Sequence, residues 1–485
     1  TQLYQELPPG SEPADAERPG EGRKLLAFSD SRQAAAYFAP YLEDSYARLS
    51  RRRLITQGLL ALRADEEAVD LDDLTFKTRQ QAEKVKHFPA DWSRSKQERE
   101  VAPWAAAEMV ATDDRQSLEG LGLIAVEMYR DPTWPTPAPL VQLGLSPDEA
   151  WGLLQELVRS LRQQGAVTMP EDVSPKDDIF EPRKGPIYVR GEGSEPIRKV
   201  LSWVPVKGSN RRLDYVTRVL RALGSAMEPA DLLRGTWRYL TDRNTAVNWL
   251  AEHADAQLGV VQQVDHSKIR MHLASDGRPI FQCSVCRRTA PFSIRGICPA
   301  IGCDGELAEF VPPAADRDAD HYRTIYRSMY AVPLRSLEHT AQWTNTEAAR
   351  IQQEFIRGQV NVLSCSTTFE LGVDVGELQA VMLRNMPPST ANYLQRAGRA
   401  GRRAGAAALV VTYAQRRSHD LTRFAEPEVM IAGQVRAPYI PLENERIDRR
   451  HAHSIAMAAF FWWLFETTGR IDRSAGEFFL GLDGN

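Results

Sequence analysis

The chain has 485 residues, of which 43% are hydrophobic, with 60 basic and 64 acidic side chains and a formal net charge of -4. Because a single hydrophobic core stops growing at about 250 to 300 residues, this length predicts at least two domains. The near balance of charge excludes a strongly positive field over the whole molecule, so any contact with nucleic acid must depend on local basic patches.

The sequence shows no segment suited to membrane insertion or secretion. The closest candidate, Ile455 to Phe465, is shorter than the roughly 20 residues that a membrane-spanning helix needs. We therefore expect a buried helix there and no membrane partner. Residues 1–22 are rich in Pro, Gly and acidic side chains and are predicted to form a linker. Because the chain begins with Thr instead of Met, we also expect a fragment of a longer protein.

The first folded segment is predicted after residue 22. Apolar residues from Leu25 to Phe28 are followed by the small polar residues Ser29 to Ser31, and Gln33 to Leu49 then has helical spacing of its apolar side chains. A strand, a turn and a helix in this order form the repeating unit of a parallel α/β sheet. We therefore expect residues 23–50 to belong to such a sheet.

From residue 51 to about 330 the sequence changes to helix-forming stretches broken by Pro and Gly, which we interpret as a large, mainly helical insertion. Within it, Asp148 to Gln164 is amphipathic, and Val261 to Leu273 alternates apolar and polar residues as a strand does. These features fit a winged-helix-like unit or helices that pack against the α/β core. The second arrangement is the more common one in α+β proteins.

Four of the five cysteines form two close pairs separated by a loop. Four thiolates at this spacing can surround Zn²⁺ as a closed tetrahedral shell, which leaves no position for a catalytic water. We predict a structural zinc ribbon at about residues 281–308 with four ligands, Cys283, Cys286, Cys298 and Cys303. Free or disulfide-linked cysteines are the alternative, although clustered thiols favour a metal site and a reducing, cytoplasmic compartment. The neighbouring Arg287, Arg288 and Arg295 fit either phosphate contacts or a solvated basic face.

The alternation of strands and helices returns after Tyr330. Helices are expected at 347–357 and from Asn392, between predicted strands at 333–338, 360–364, 380–383 and 406–412. The predicted fold class is therefore α/β, with one parallel sheet built from residues 23–50 and 331–415 and interrupted by the insertion. The remaining residues, 416–485, are predicted to form a helical C-terminal extension.

An arginine-rich segment precedes the last predicted strand. Its small residues let the backbone approach a ligand closely, and its fixed guanidinium groups suit the charge of a polyphosphate. The pattern Gln-Arg-Ala-Gly-Arg-Ala-Gly-Arg from Gln395 to Arg402 resembles motif VI of superfamily 2 helicases. The resemblance implies that Arg399 and Arg402 are arginine fingers for the γ-phosphate of ATP, and that Gln395 and Arg396 bind near the nucleotide. A solvated arginine-rich loop is the alternative.

A second motif lies just upstream, where Leu363 to Gly376 leads from a strand into a hydroxyl-rich turn. Backbone amides and hydroxyls in such a turn can hold phosphate oxygens. The segment resembles helicase motif V, with Ser366 where the family commonly has Thr, so the hydroxyl is kept. The resemblance implies that Ser366 and Thr367 contact the sugar-phosphate backbone, while Gly372 and Asp374 couple this contact to ATP. An ordinary strand-to-helix turn is the alternative.

Two earlier segments also match the family pattern. Leu25 to Arg32 resembles motif IV, and Leu337 to Gln342 resembles the next strand of the same helicase domain. By this resemblance, Ser29, Arg32 and His339 are candidate contacts to the nucleic-acid strand. An exposed arginine or a single histidine at a strand end is more often structural, so these three assignments depend on the family pattern.

The chain as a whole thus resembles the second RecA-like half of a superfamily 2 DNA helicase, and the sequence around Arg384 is similar to that of bacterial MrfA-type helicases and relatives encoded in anti-phage systems. The resemblance implies ATP with Mg²⁺ as cofactor, single-stranded or duplex nucleic acid as ligand with DNA favoured over RNA, and a role in DNA repair or anti-phage defence. The sequence contains neither a Gly-x-x-x-x-Gly-Lys-Ser/Thr phosphate loop nor an Asp-Glu magnesium motif after a strand. We therefore predict that a first RecA-like ATPase domain lies in the same protein or in another subunit, and that this chain alone is inactive.

Other classes of function stay open at this point. A non-catalytic scaffold that binds nucleic acid or protein, with a structural zinc ribbon, would not need both arginines of motif VI. A nuclease or a zinc hydrolase would need an acidic metal cluster or an open zinc site, and the sequence indicates neither.

Overall fold

The computed structural model describes residues 2–10, 12–62, 69–110, 113, 115–193, 197–245, 247–274, 279–311, 321–340, 342–367, 375–376, 378–401, 408–433, 443–472 and 474–480. Within these residues the helices are α1 (Gln2–Glu6), α2 (Arg32–Leu62), α3 (Leu71–Lys84), α4 (Arg94–Val110), α5 (Ala138–Val141), α6 (Pro147–Arg162), α7 (Arg211–Ala222), α8 (Pro229–Thr241), α9 (His321–Ser328), α10 (Asn345–Ile356), α11 (Thr390–Ala397), α12 (Ser418–Ala425), α13 (Pro427–Ile431), α14 (Glu445–Thr468) and α15 (Ala475–Leu480). The strands are β1 (Leu25–Phe28), β2 (Ile124–Met128), β3 (Tyr188–Glu192), β4 (Val200–Val204), β5 (Leu250–Asp255), β6 (Gly259–Val264), β7 (Ile269–Leu273), β8 (Phe281–Cys283), β9 (Thr289–Ala290), β10 (Leu307–Glu309), β11 (Ser336–His339), β12 (Val362–Cys365), β13 (Ala380–Leu383) and β14 (Leu409–Thr412). The chain divides into two compact units, one of residues 1–388 with 392–425 and one of residues 389–391 with 426–485.

The first unit contains a five-stranded parallel sheet with the strand order β11-β12-β1-β13-β14. The central strand β1 comes from a part of the sequence far before its neighbours: Leu25 pairs with Val362 of β12 and with Ala380 of β13. Its Leu26 and Phe28 are fully buried with Leu363, Val381 and Phe355 in one hydrophobic cluster. The predicted parallel α/β sheet, interrupted by an insertion, is therefore confirmed.

Helix α2 is shared by the sheet and the insertion. It spans 31 residues, so at about 1.5 Å per residue it is about 46 Å long. The predicted boundary at residue 50 falls inside this helix because the apolar residues Leu54, Ile55 and Leu59 continue the buried face beyond it. The helix contacts β11 and β12 of the sheet and also α3 and α9 of the insertion.

The insertion contains more β-structure than the mainly helical prediction allowed. A four-stranded sheet has the order β4-β3-β6-β5, β2 pairs with β7, and β8, β9 and β10 form a small antiparallel sheet. The stretch predicted as one strand, Val261 to Leu273, is divided between β6 and β7 by a short 3-10 helix at His266–Lys268. Short strands with polar outer faces gave too weak a periodicity for the sequence to predict them. The winged-helix alternative for Asp148 to Gln164 and Val261 to Leu273 stays a prediction.

Helix α6 lies in the core of the insertion. It begins with a capping box in which Ser146 and Glu149 exchange hydrogen bonds. Toward its other end, Arg159 and Arg162 are buried and form ion pairs with the buried Glu119 at 2.8 and 2.7 Å. Burial raises the pKa of Glu119, but the two guanidinium groups outweigh it and lower this pKa to about 2. Arg159 also donates to the carbonyl of Thr289, which connects α6 to the small antiparallel sheet.

Residues 2–22 do not form the predicted linker. Tyr4 and Leu7 are buried, and the Tyr4 hydroxyl donates to the carbonyl of Pro333 at 3.2 Å. Asn361, just before β12, donates to the Tyr4 oxygen at 2.6 Å. The segment packs against the sheet domain because two apolar side chains within a polar composition are enough to anchor it.

The second unit consists of helices in its described part. Ile455 to Phe465, expected to be a buried helix, lies in α14, but its aromatic side chains are largely in solvent, with Trp462 67% exposed. Phe478 of the short helix α15 packs edge-on against the rings of Phe460 and Phe461. Across the described residues, no helix combines the length and the apolar character that crossing a bilayer requires.

Candidate functional site

The carboxyl ends of the parallel strands bring several predicted site residues to one edge of the sheet. Phe28 of β1 and His339 of β11 both lie beside Cys365 of β12 in the strand register. Ser29 and Ser366 directly follow these strands. Residues from motifs IV and V, with His339, therefore share one edge, which is where open α/β sheets bind ligands.

Ser29 is held inside this edge by an arginine that sequence reasoning did not assign to the site. Ser29 is 2% exposed, and its hydroxyl accepts a hydrogen bond from Arg384 at 3.0 Å. Arg384 also donates to the carbonyl of Ala34 and lies 3.8 Å from the ring centroid of Phe38. Burial lowers the pKa of Arg384, and nearby Tyr41 partly offsets this effect. Its position directly after β13 was the signal that could have identified it.

The other predicted nucleic-acid contacts differ in how much surface they offer. Ser366 is 1% exposed, whereas Thr367 and Arg32 are exposed. His339 is half-buried, and burial lowers its pKa. Thr367 and Arg32 thus have the most surface for a ligand, while Ser29 and Ser366 have little.

Motif VI is anchored to the turn after β1 by an ion pair between a buried arginine and a partly exposed aspartate. Arg396 of α11 is fully buried, donates to Asp30 at 3.0 Å and lies 5.6 Å from the ring centroid of Phe28. The Asp30 carboxylate also accepts a hydrogen bond from Nδ2 of Asn385, and Oδ1 of Asn385 accepts one from the backbone N–H of Asp30. Gln395, which directly precedes Arg396, is exposed. The arginine predicted near the nucleotide is therefore paired inside the domain, and Asp30 is a site residue that the sequence analysis missed.

The glycines of motif VI are required by its backbone. Gly401 has a φ of 72°, and a Cβ there would lie 2.6 Å from the Cβ of Ala408. A Cβ on Gly398 would lie 2.9 Å from the carbonyl oxygen of Leu394. Arg399, between them, is 7% exposed. The other predicted residues of this site, Arg402, Gly372 and Asp374, lie outside the described residues.

The four clustered cysteines form a group with the geometry of a zinc site. Their Sγ atoms all lie within 4.8 Å of one another, with 3.7 Å from Cys283 to Cys303 and 3.6 Å from Cys286 to Cys298. A tetrahedron with Zn–S bonds of about 2.3 Å has S–S edges of about 3.8 Å, so the four thiols fit the metal. Burial raises the pKa of Cys283, but amide hydrogen bonds from Cys286 and Val285 outweigh it and lower this pKa to about 7.

The cysteine cluster is held against α7 by two side chains that sequence reasoning also missed. Arg218 donates to the carbonyls of Cys298 and Cys303 at 2.7 Å and to that of Ala300 at 2.9 Å. Asp214, one turn earlier, pairs with Arg218 at 2.6 Å and accepts from the amide of Gly302. This arrangement fixes the ribbon as part of the insertion. Their spacing of four residues on a helix was the available signal.

Residues 317–404 match the family described as the helicase conserved C-terminal domain. The chain contains a helicase C-terminal domain. The match includes β11, β12, β13 and α11 with motifs V and VI. Strand β1 lies outside the matched residues, yet it occupies the middle of the sheet of this helicase domain.

Parts of the chain are also similar to known helicases and related proteins. Druantia protein DruE of Escherichia coli is 37% identical over 209 residues, covering 38% of this chain and 11% of DruE. Lhr helicase/probable uracil glycosylase of Mycolicibacterium smegmatis is 26% identical over 129 residues, covering 27% of this chain and 8% of that protein. The alignments thus span about a tenth of the length of these curated relatives. The predicted helicase resemblance is confirmed for the domain.

Two solved structures match smaller parts of the chain. The DUF1998 helicase MrfA bound to DNA and AMPPNP is 28% identical, covers 23% of this chain and 16% of that chain, and superposes with a TM-score of 0.22. Helicase Lhr of Mycobacterium smegmatis bound to ssDNA and AMP-PNP is 27% identical, covers 26% of this chain and 16% of that chain, and has a TM-score of 0.23.

Proposed function

We propose that this chain supplies the second RecA-like half of an ATP-dependent DNA helicase or translocase. One observation carries the proposal: the Asp30–Arg396 ion pair anchors motif VI to the turn that follows β1. The same sheet edge holds exposed Thr367 and Arg32. A motor needs the groups that contact the nucleotide and those that contact the nucleic-acid strand on one rigid domain, because ATP hydrolysis can then change how the domain binds the strand.

In this proposal, ATP with Mg²⁺ is bound mainly by a first RecA-like domain, in the same protein or in another subunit. Arg399 and Arg402 contribute positive charge to the γ-phosphate in the transition state, which for such arginines is worth about 10³ to 10⁵ in rate. Gln395 contacts the nucleotide, and Gly372 and Asp374 connect it to motif V. The chain alone then has the fingers without the phosphate-binding loop and does not hydrolyse ATP.

The strand-side groups form a second part of the proposal. Thr367 and Arg32 contact the sugar-phosphate backbone directly, since phosphate contacts fix position without selecting sequence. Ser29, Ser366 and His339 complete this surface, mainly by holding the turns in place. The zinc ribbon has a structural role, because a closed Cys₄ shell has no open position for chemistry.

The test is ATP turnover of the complete protein, or of this chain combined with its ATPase half, with and without single-stranded DNA. We expect Arg399→Ala and Arg402→Ala each to lower stimulated turnover by at least about 100-fold while DNA binding is kept. Arg243→Ala is the matched control, because that side chain is 85% exposed in the insertion. Unchanged turnover in both finger variants would favour the non-catalytic scaffold.

The biological role is proposed from the sequence resemblance to helicases encoded in anti-phage systems and to MrfA-type helicases. If the protein acts in defence, phage should form more plaques on a strain that lacks the gene. If it acts in repair, this strain should survive DNA-crosslinking agents less well. Complementation with the Arg402→Ala variant should fail in whichever assay shows the defect.

A further inference from the structure

Two tyrosines on α2 are stacked on each other and left in solvent. The ring centroids of Tyr37 and Tyr41 are 5.9 Å apart and their planes differ by 19°. The two side chains are 69% and 51% exposed. Large aromatic side chains are usually covered, and an ordered, exposed pair of nearly parallel rings offers flat apolar faces to a ligand.

The pair lies close to the sheet edge that carries the helicase motifs. Helix α2 begins at Arg32, so Tyr37 is only about 7.5 Å further along the helix axis. Tyr37 and Tyr41 are four residues apart and share one face of the helix. Between them in sequence, Phe38 packs under Arg384, the side chain that binds Ser29. A strand that crosses this edge can therefore pass close to the tyrosines.

A cavity opens beside the tyrosines. Its volume is about 710 Å³, and α2, α4 and the turn at residues 178–182 line it. Pockets for small organic ligands have volumes of about 300 to 1,000 Å³. The cavity extends from the exposed tyrosines to the buried Trp104, over which the guanidinium of Arg51 lies at 5.3 Å. The Nε of Arg51 is buried and finds no hydrogen-bond acceptor within the described part of the chain.

The charges around the cavity favour bases over a dense array of phosphates. Arg48, exposed on the same helix face, supplies one cation, and Asp44 lies one turn before it. Among the other lining groups, Arg52 is paired with Glu108. Asp113, Asp178 and Glu181 also line the cavity, so its wall has more acidic than basic groups and does not suit a dense array of phosphates. Flat aromatic faces and the guanidinium of Arg51 match a nucleobase, with one phosphate near the exposed Arg48.

We propose that Tyr37, Tyr41 and this cavity bind unpaired nucleotides of the strand on which the helicase domain acts. Bases stack on the exposed tyrosine faces, Arg48 contacts a phosphate, and Arg51 donates to a base that enters the cavity. This inference rests on the proposed function for the identity of the ligand. It adds a base-stacking site on α2 to the phosphate contacts of motifs IV and V, and stacking of this kind tolerates any sequence.

The first test measures equilibrium binding of the full chain to fluorescein-labelled oligothymidine and to an abasic oligomer of equal length. Stacking contributes about 1 to 3 kcal/mol per base, so Tyr37→Ala with Tyr41→Ala should weaken oligothymidine binding by about 5-fold or more. Binding of the abasic oligomer should change by less than about 2-fold. The double Phe variant keeps the rings and should bind like the original, as should Leu60→Ala, an exposed truncation on the same helix.

The second test uses charge. Asp44→Asn removes a carboxylate next to the proposed phosphate contact, so it should tighten oligothymidine binding at low salt by about 2-fold or more. If the cavity instead binds a basic protein segment, Asp44→Asn should weaken the binding of a polylysine probe, because the variant removes a negative charge. The inference is overturned if the chain does not bind oligothymidine, if the double Ala variant binds it normally, or if both oligomers lose affinity equally. Because these binding assays contain no ATP, they test the base-stacking site independently of the ATP turnover of the Arg399→Ala and Arg402→Ala variants.

Discussion

The ion pair between Asp30 and Arg396 gives the sharpest test of how motif VI is positioned. Asp30→Asn keeps the shape of the side chain and removes the carboxylate charge that pairs with the fully buried Arg396. Breaking a fully buried pair costs about 3 to 5 kcal/mol. The Asp30 side chain is 47% exposed, so solvent screening reduces this cost. We expect a local destabilisation of α11 by about 1 to 2 kcal/mol.

Hydrogen exchange measured by mass spectrometry on peptides from α11 and β1 reports this local free energy. One to two kcal/mol corresponds to about 5-fold to 30-fold faster exchange. Asp72→Asn, which removes an exposed carboxylate on α3, is the control and should leave these peptides unchanged. In an Arg396→Met background, Asp30→Asn should add little. Unchanged exchange in Asp30→Asn, or fully additive effects in the double variant, would refute the positioning role of the pair.

Three further results are expected. Cys286→Ala should reduce bound zinc from about one equivalent to nearly none in a colorimetric chelator assay, while Cys365→Ala, which removes a buried cysteine outside the cluster, should retain it. Gly401→Ala should lower ATP turnover of the complete protein by about 10-fold or more because its Cβ would collide with a neighbouring alanine, whereas Gly208→Ala, at the same φ of 72° with nothing within 4 Å, should not. Burial lowers the pKa of His87 to about 4, so below pH 6.5 the unfolded state binds a proton that the folded state excludes. The free energy of unfolding, measured with urea, should therefore fall by up to about 3 kcal/mol as the pH falls from 6.5 to 4. His87→Phe should remove this pH dependence, and an unchanged slope would contradict it.

The sheet domain was predictable because its strands are short, continuous apolar runs that end in polar turns. Strands β1 and β12 are buried at every position, and the order of glycine and arginine in motif VI is a local pattern that can be recognised in the sequence. The cysteine spacing likewise predicted which four side chains come together. These features are local in sequence, so the sequence alone reveals them.

The features that were missed depend on contacts between distant residues. Asp30 and Arg396 are 366 positions apart, and Arg218 reaches carbonyl groups 80 to 85 positions away. The residues next to Asp30 or Arg218 in the sequence give no indication of these distant partners. The N-terminal segment was missed for the same reason, since its few apolar anchors are diluted by a polar composition. The assignments of individual ATP and strand contacts stay predictions.

The continuous course of α2 has a mechanical consequence. The helix runs for 31 residues with Pro40 in its interior, where the proline removes one backbone hydrogen bond, and it begins at the turn where the helicase motifs gather. The 22 residues from Tyr41 to Leu62 span about 33 Å, so a bend of about 10 degrees at Pro40 would move the far end by about 6 Å. The insertion packed on that end, including its zinc ribbon, would then swing by more than the spacing between two nucleotides.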